Sequence, residues 1–257
     1  MSLGHRSKFA CVMIFVFFVG CFFSLENKIQ AMRLRSFIVS PPDGGVELFA
    51  WQNLTTSSER FWPCWIFDFG NFKQKMESMF PVQVTWQLQG WGAIELQYEA
   101  LKPNFLLLWE GIRWGVSQKG LIWPVDDPHF LNLYAVPDDV PVMEWSSELM
   151  APVEHDPSKN VHKALLPMKD VLLWVEGLQR TGWLKEASRV IVERQGGRFR
   201  LRLVVDLHGM KGVTLLLPDT PGAWKILAQA LEPIVKDNEG KSSLTIDGTY
   251  GNKIIVK

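Results

Sequence analysis

Cysteine is scarce in this sequence, with three in 257 residues (Cys11, Cys21 and Cys64). That number excludes a disulfide-stapled fold and a four-cysteine zinc site. Neither sign of charge is in excess, since 27 Lys and Arg oppose 27 Asp and Glu. The broadly basic surface of a nucleic-acid binder is therefore absent. No Gly-x-Ser-x-Gly elbow, phosphate-binding loop, dinucleotide fingerprint or His-Glu-x-x-His is present, and there is no internal repeat or low-complexity tract. What is abundant is apolar and aromatic: 47% hydrophobic residues against 21% charged, and 12 tryptophans. These proportions exclude wholesale disorder.

The neutral total conceals an asymmetry. Residues 1–35 hold five basic side chains (Arg6, Lys8, Lys28, Arg33, Arg35) and one acid, Glu26, so the remainder is net acidic. Inside this basic segment Phe9 to Leu25 runs 17 residues without a charge. As a helix it would be about 26 Å long, at the short end for a bilayer. A cleaved signal peptide needs small residues before its cut site, and the stretch after Leu25 supplies no convincing pair. A lipoprotein signal at Cys21 would place Phe18 where a smaller residue belongs. The run reads as an uncleaved signal anchor (9–25) between a short cytoplasmic tail (1–8) and a juxtamembrane linker (26–36). The short tail and large remainder put the N-terminus inside, although Lys28, Arg33 and Arg35 flank the far side.

The rest divides into a first module over 37–124, a connector over 125–162 and a C-terminal α+β domain over 163–257. In the first module Gly45 to Trp51 reads as a strand. Phe69 to Phe80 reads as a helix, capped by Asp68 and ended by Pro81. Val82, Val84, Trp86 and Leu88 alternate with polar residues, as do Ile94, Leu96 and Tyr98 beyond Gly90-Trp91-Gly92. Period two on both sides of such a turn predicts a hairpin. Phe105 to Trp109 and the flanks of Gln118-Lys119-Gly120 predict further strands. The connector, read with Pro124, is rich in proline and acid, with Lys159 its one basic residue. In the last part Met168, Val171, Leu172, Val175 and Leu178 form a helical stripe between Pro167 and a capping Gly182. Strands follow at Ser188 to Glu193, Arg198 to Val205 and Val213 to Leu217. A second helix has the stripe Trp224, Leu227, Leu231 and Ile234, and a hairpin spans Ser243 to Lys257. Helices packed on an antiparallel sheet are the expected architecture.

Candidates for chemistry are few. Glu154, His155, Asp156 and His162 form an imaginable metal cluster, but in a loop-rich connector they read as solvated side chains. Asp126-Asp127 and Asp138-Asp139 read as turn carboxylates. Neither a cofactor nor a metal is expected. The Asn53-Leu54-Thr55 sequon is common by chance. Trp51, Trp62 and Trp65 fit core packing better than a membrane interface. Arg198, Arg200 and Arg202 put three cations on one strand face, either as a solvated face or as a surface for an acidic partner. Lys253-Ile-Ile-Val-Lys257 is an apolar strand next to a hairpin turn. It reads as a sheet edge that is either guarded by its lysines or open to a partner strand.

Three stretches, in this order along the chain, resemble the FtsQ/DivIB family of cell-division proteins. Phe80-Pro81-Val82 leading into the Val84 to Tyr98 hairpin is similar to the family's helix–Pro–Val step and strand pair. Trp114-Gly-Val-Ser-Gln-Lys-Gly120-Leu-Ile-Trp123 is similar to its aromatic-x-Val-[Ser/Asp]-x-x-Gly-x-[Ile/Val]-aromatic segment. Leu244 to Val256 is similar to its terminal Ile-Asp-x-Arg-Tyr strand pair, with Thr249 where the family has arginine. The family's Trp-Pro is Gly90-Trp91-Gly92 here, and the helical part of the first module reads as shortened.

The resemblance implies a single-pass cytoplasmic-membrane protein with a POTRA module and a C-terminal β domain. It implies a non-enzymatic divisome scaffold at the septum, with FtsB-like and FtsL-like bitopic partners and without nucleic acid or a small-molecule substrate. It implies partner binding through Tyr250, Asn252, Lys253, Ile254, Ile255 and Val256. Proline or a charge at Ile255 is then expected to weaken that binding while the fold survives. The competing expectations are a POTRA-bearing protein that handles unfolded or translocating chains, and an anchored hydrolase using dispersed Ser, His and Asp residues.

Overall fold

The computed structural model describes residues 34, 36–54, 62–90, 92–128, 130, 136–137, 140–154, 156–207, 210–238, 241, 243–250 and 253–257. The anchor expected at 9–25 lies outside them. Among the described residues no helix is long and apolar enough to cross a membrane. The fold class is α+β, in two units. One takes the residues through Glu77 together with Val82–Glu99, and the other takes Ser78–Pro81 and Ala100–Lys257.

The first unit holds β1 (Ser36–Ser40), α1 (Gly44–Leu54), α2 (Trp62–Met79), β2 (Val82–Gly90) and β3 (Ala93–Ala100). Its three strands lie in the order β1-β3-β2, with β1 parallel to β3 from Ser36↔Ala93 to Ser40↔Gln97. The strand expected at Gly45 to Trp51 is a helix, and the first strand comes earlier, starting at the last residue read as linker. Local chemistry accounts for the helix. The Asp43 carboxylate accepts from the Gly45 and Val46 amides at 2.9 and 3.0 Å, a side-chain cap. Val46, Ala50 and Leu54 then recur every fourth residue and are all buried. The unit therefore has two helices where the sequence suggested one. Asp68 lies inside α2, where the Asn71 amide donates to it at 2.6 Å, and caps nothing. The hairpin stands as the alternation predicts: Val82, Val84, Ile94 and Leu96 are buried, while Gln83, Thr85 and Gln87 are exposed.

The second unit is built on one ten-stranded sheet in the order β13-β12-β11-β10-β9-β7-β4-β5-β6-β8. Its strands are β4 (Phe105–Trp109), β5 (Ile112–Val116), β6 (Leu121–Pro124), β7 (Val142–Trp145), β8 (His162–Lys163), β9 (Ala187–Gln195), β10 (Arg198–Leu207), β11 (Met210–Pro218), β12 (Thr245–Tyr250) and β13 (Lys253–Val256). The strands of Phe105 to Pro124, assigned from sequence to the first module, belong to this sheet, and β7 from the connector sits in its middle. The sheet is mixed rather than antiparallel. β7 runs parallel to both β4 and β9, and β11 runs parallel to β12. Two of the parallel steps span helices: α3 (Met168–Thr181) and the short α4 (Trp183–Glu186) lie between β7 and β9, and α5 (Trp224–Asp237) lies between β11 and β12. A parallel neighbour needs such a long crossover.

The core lies between one sheet face and the helices. Leu201, Leu203, Val205, Val213, Leu215 and Leu217 point into it, fully buried, against Val171, Trp174, Val175 and Leu178 of α3 and Trp224, Leu227, Leu231 and Val235 of α5. The tryptophans of this core carry a polar anchor as well as bulk. The indole N–H of Trp174 donates to the Asp219 carbonyl at 2.7 Å, that of Trp224 to Pro218 at 2.9 Å, and that of Trp145 to Met150 at 3.0 Å. Gly182 ends α3 with φ 78°, the left-handed cap that glycine adopts without strain.

Candidate partner-binding edge and arginine face

β13 is the last strand at its end of the sheet and has one neighbour, β12. Thr245 and Lys257 exchange both backbone hydrogen bonds, at 3.0 and 2.9 Å. In an antiparallel ladder such exchanging pairs alternate with non-exchanging ones. Asp247↔Ile255 is thus an exchanging pair, and Ile246↔Val256 is not. The amides and carbonyls of Ile255 and Lys257 are consumed by β12. Those of Ile254 and Val256 face away from the sheet, where another strand can pair with them. Sequence reasoning offered Ile255 as the place to break this edge with proline. The register corrects that choice, because proline at Ile255 removes an internal bond before it reaches any partner.

Side chains divide by the same alternation. Val256 lies opposite Ile246, which is fully buried, and Ile254 packs against the core. Lys253 and Ile255 therefore belong to the opposite, helix-free face. Tyr250 is 54% exposed at the hairpin turn. Asn252 lies outside the described residues. Thr249 donates its amide and hydroxyl to Asp247 at 3.0 and 2.6 Å. It braces the irregular step that the register takes between Asp247 and Tyr250.

Arg198, Arg200 and Arg202 do share one face of β10, the face away from the helices. They are not three free charges. Arg200 donates Nε to Glu193 at 2.8 Å, and Arg202 approaches the other oxygen of the same carboxylate at 3.7 Å. Arg200 also reaches the Gln195 side-chain oxygen. Glu193 was missed as part of this group, although a two-residue Gly196-Gly197 turn places it opposite Arg200. On the same face Arg189 clasps Glu144 with two bonds, at 2.7 and 2.8 Å, and its guanidinium is held even more firmly protonated by that carboxylate.

The two features singled out separately in the sequence meet. Arg198, Arg200, Thr249 and Tyr250 line one groove of about 200 Å³ with Gln195, Phe199, Pro218 and Asp219. A second depression of about 390 Å³ on the helix-free face is bordered by Arg189, Ile191, Arg200, Arg202 and Leu216. A third, of about 650 Å³, runs along Val140 to Val142, the end of α3 and the start of β9. None of these three contains a histidine. His162 is buried with its ring 6.4 Å from that of Trp114. His129, His155 and His208 lie outside the described residues, as do Asp138 and Asp139. Asp126 is engaged by Arg113, whose hydrogen bond holds the carboxyl below its usual range. Among the described residues no group of three metal-ligating side chains converges. Asp156 instead accepts from Ser158 and pairs with Lys159 at 2.8 Å, and these contacts keep it ionised well below the usual carboxylate range.

Compared with known protein families and with curated proteins, the chain matches no family model and no curated protein.

Proposed function

We propose that this chain is a divisome scaffold of the FtsQ/DivIB type, anchored once in the cytoplasmic membrane and acting outside it at the septum. It binds FtsB-like and FtsL-like bitopic partners without catalysing a reaction. The observation that carries the reading is the edge strand β13, with the backbone groups of Ile254 and Val256 directed outward beside the exposed Tyr250. Backbone pairing there supplies affinity, and Tyr250 with Arg198 in the adjoining groove supplies selectivity for a partner segment carrying a carboxylate. The β1-α1-α2-β2-β3 unit stands where the POTRA module belongs in this reading.

The test is the position of a fluorescent fusion at the N-terminus in growing cells, combined with depletion. A mid-cell band before constriction, with filamentation on depletion, is the expected result. A uniform envelope signal with normal division overturns it. A second reading, capture of extended polypeptides, draws on β2, a nine-residue edge strand of the first unit. It expects peptide binding through β2 and no division defect.

A further inference from the structure

Trp51 and Leu88 are exposed, at 39% and 46%, and chain direction puts both at one end of the first unit. β1 begins at that end, where the Ser36 amide donates to the Gly92 carbonyl at 3.2 Å. β2 runs toward it, with Val82, Val84, Trp86 and Leu88 on one face by alternation. Exposure rises along this row from 2% and 0% at Val82 and Val84 to 46% at Leu88. The apolar face of the strand therefore outruns its helical cover. α1 returns to the same end: Trp51 meets Phe37, the second residue of β1, with ring centroids 5.5 Å apart. Trp65 also contacts Phe37 but is 2% exposed, with Phe69, Phe72 and Trp86 around it. Packing accounts for Trp65 and leaves Trp51 half uncovered.

This end is where the chain enters the unit. The inference rests on the reading of Phe9 to Leu25 as an anchor. Ten residues, 26–35, then separate the bilayer from β1, a reach of at most about 35 Å when extended. The start of β2 is roughly 26 Å further off, from the strand's rise per residue. The linker carries Lys28, Arg33 and Arg35 against Glu26, a balance that anionic headgroups attract. We infer that the end of this unit bearing Trp51 and Leu88 rests on the bilayer surface, with both side chains at the headgroup boundary and phospholipid as the ligand. An indole ring favours that level because it is apolar with one polar tip.

The experiment uses the full chain with Cys11→Ser, Cys21→Ser and Cys64→Ser. It carries either Leu88→Cys or, at the other end of β2, Gln83→Cys, each bearing an environment-sensitive fluorophore. The protein is reconstituted in phosphatidylethanolamine–phosphatidylglycerol vesicles containing a headgroup-nitroxide lipid. The label at 88 is expected to be blue-shifted and quenched about twofold or more relative to the label at 83. Equal quenching in protein that floats with the vesicles overturns the inference and leaves the anchor standing. Protein that fails to float overturns the anchor, and the inference with it.

Discussion

Replacing Val256 with proline removes an amide that faces away from β12, whereas replacing Ile255 removes one that donates to Asp247. The two neighbours should therefore behave oppositely. For Ile255→Pro, the carbonyl that this amide served is left unsatisfied, at a cost of about 1–3 kcal/mol. Asp247 is 4% exposed, so water does not readily replace the missing donor. The expected loss is therefore about 1–3 kcal/mol. Val256→Pro breaks no internal ladder bond, its side chain is 38% exposed, and edge strands accept proline where the amide faces solvent. Its expected cost is under about 1 kcal/mol. Urea unfolding followed by tryptophan fluorescence reads both values. Partner affinity is then measured on Val256→Pro alone, where a tenfold loss, about 1.4 kcal/mol, is expected. Equal destabilisation by the two prolines would refute the assigned register. Unchanged affinity in folded Val256→Pro would refute strand pairing along this edge.

Gly177 lies inside α3, where a Cβ would come within 2.8 Å of the Trp224 ring and 3.0 Å of Pro221. Trp224 is buried and held through its indole N–H, so Gly177→Ala should cost about 1–3 kcal/mol in overpacking. That exceeds the gain of about 1 kcal/mol in helix propensity, so the melting temperature should fall; a rise would contradict the close approach. Asp126 is held below the usual carboxylate range by Arg113. Its contribution to stability is present above the unfolded-state value of about 3.9 and is lost as pH falls through the lower folded-state value. Both partners are half exposed, so Asp126→Asn should cost at most about 1 kcal/mol near neutrality. The difference from the parent should begin to shrink as pH falls below about 3.9, and a gap that stays constant from neutrality down to about pH 2 would rule out the ion pair as its source.

The elements with a clean period were legible in the sequence. β2 and β3 alternate, and the stripes of α3 and α5 repeat at helical spacing, with Val235 rather than Ile234 the last fully buried residue of α5. α1 was misread because Gly45 to Trp51 is a short apolar run that suits either strand or helix. Asp43, two residues before it, was the deciding signal, together with the spacing of Val46, Ala50 and Leu54. The extent of the large sheet was not legible. Nothing local in Phe105 to Trp109 tells that it pairs with β7 rather than with the preceding hairpin, because that choice is made by tertiary packing. The arginine row was visible, but the pairing of Arg200 and Arg202 with Glu193 required the hairpin register. The outward-facing backbone groups of β13 were out of reach for the same reason: alternation tells which way side chains point, and only pairing tells which way amides do.

The parallel step from β11 to β12 bears on how the candidate edge behaves in time. β12 is not zipped onto the sheet by a tight turn. It arrives after the whole of α5 and is joined to β11 by three aligned pairs, Thr214↔Thr245, Leu215↔Ile246 and Leu216↔Asp247. The terminal hairpin is therefore suited to open as a piece of its own while the β9–β11 meander stays closed. A strand that docks on β13 would draw on the closed population alone and shift the balance toward it. Occupancy of the edge would then be recorded as slower amide exchange along β12, one strand away from any residue the partner touches.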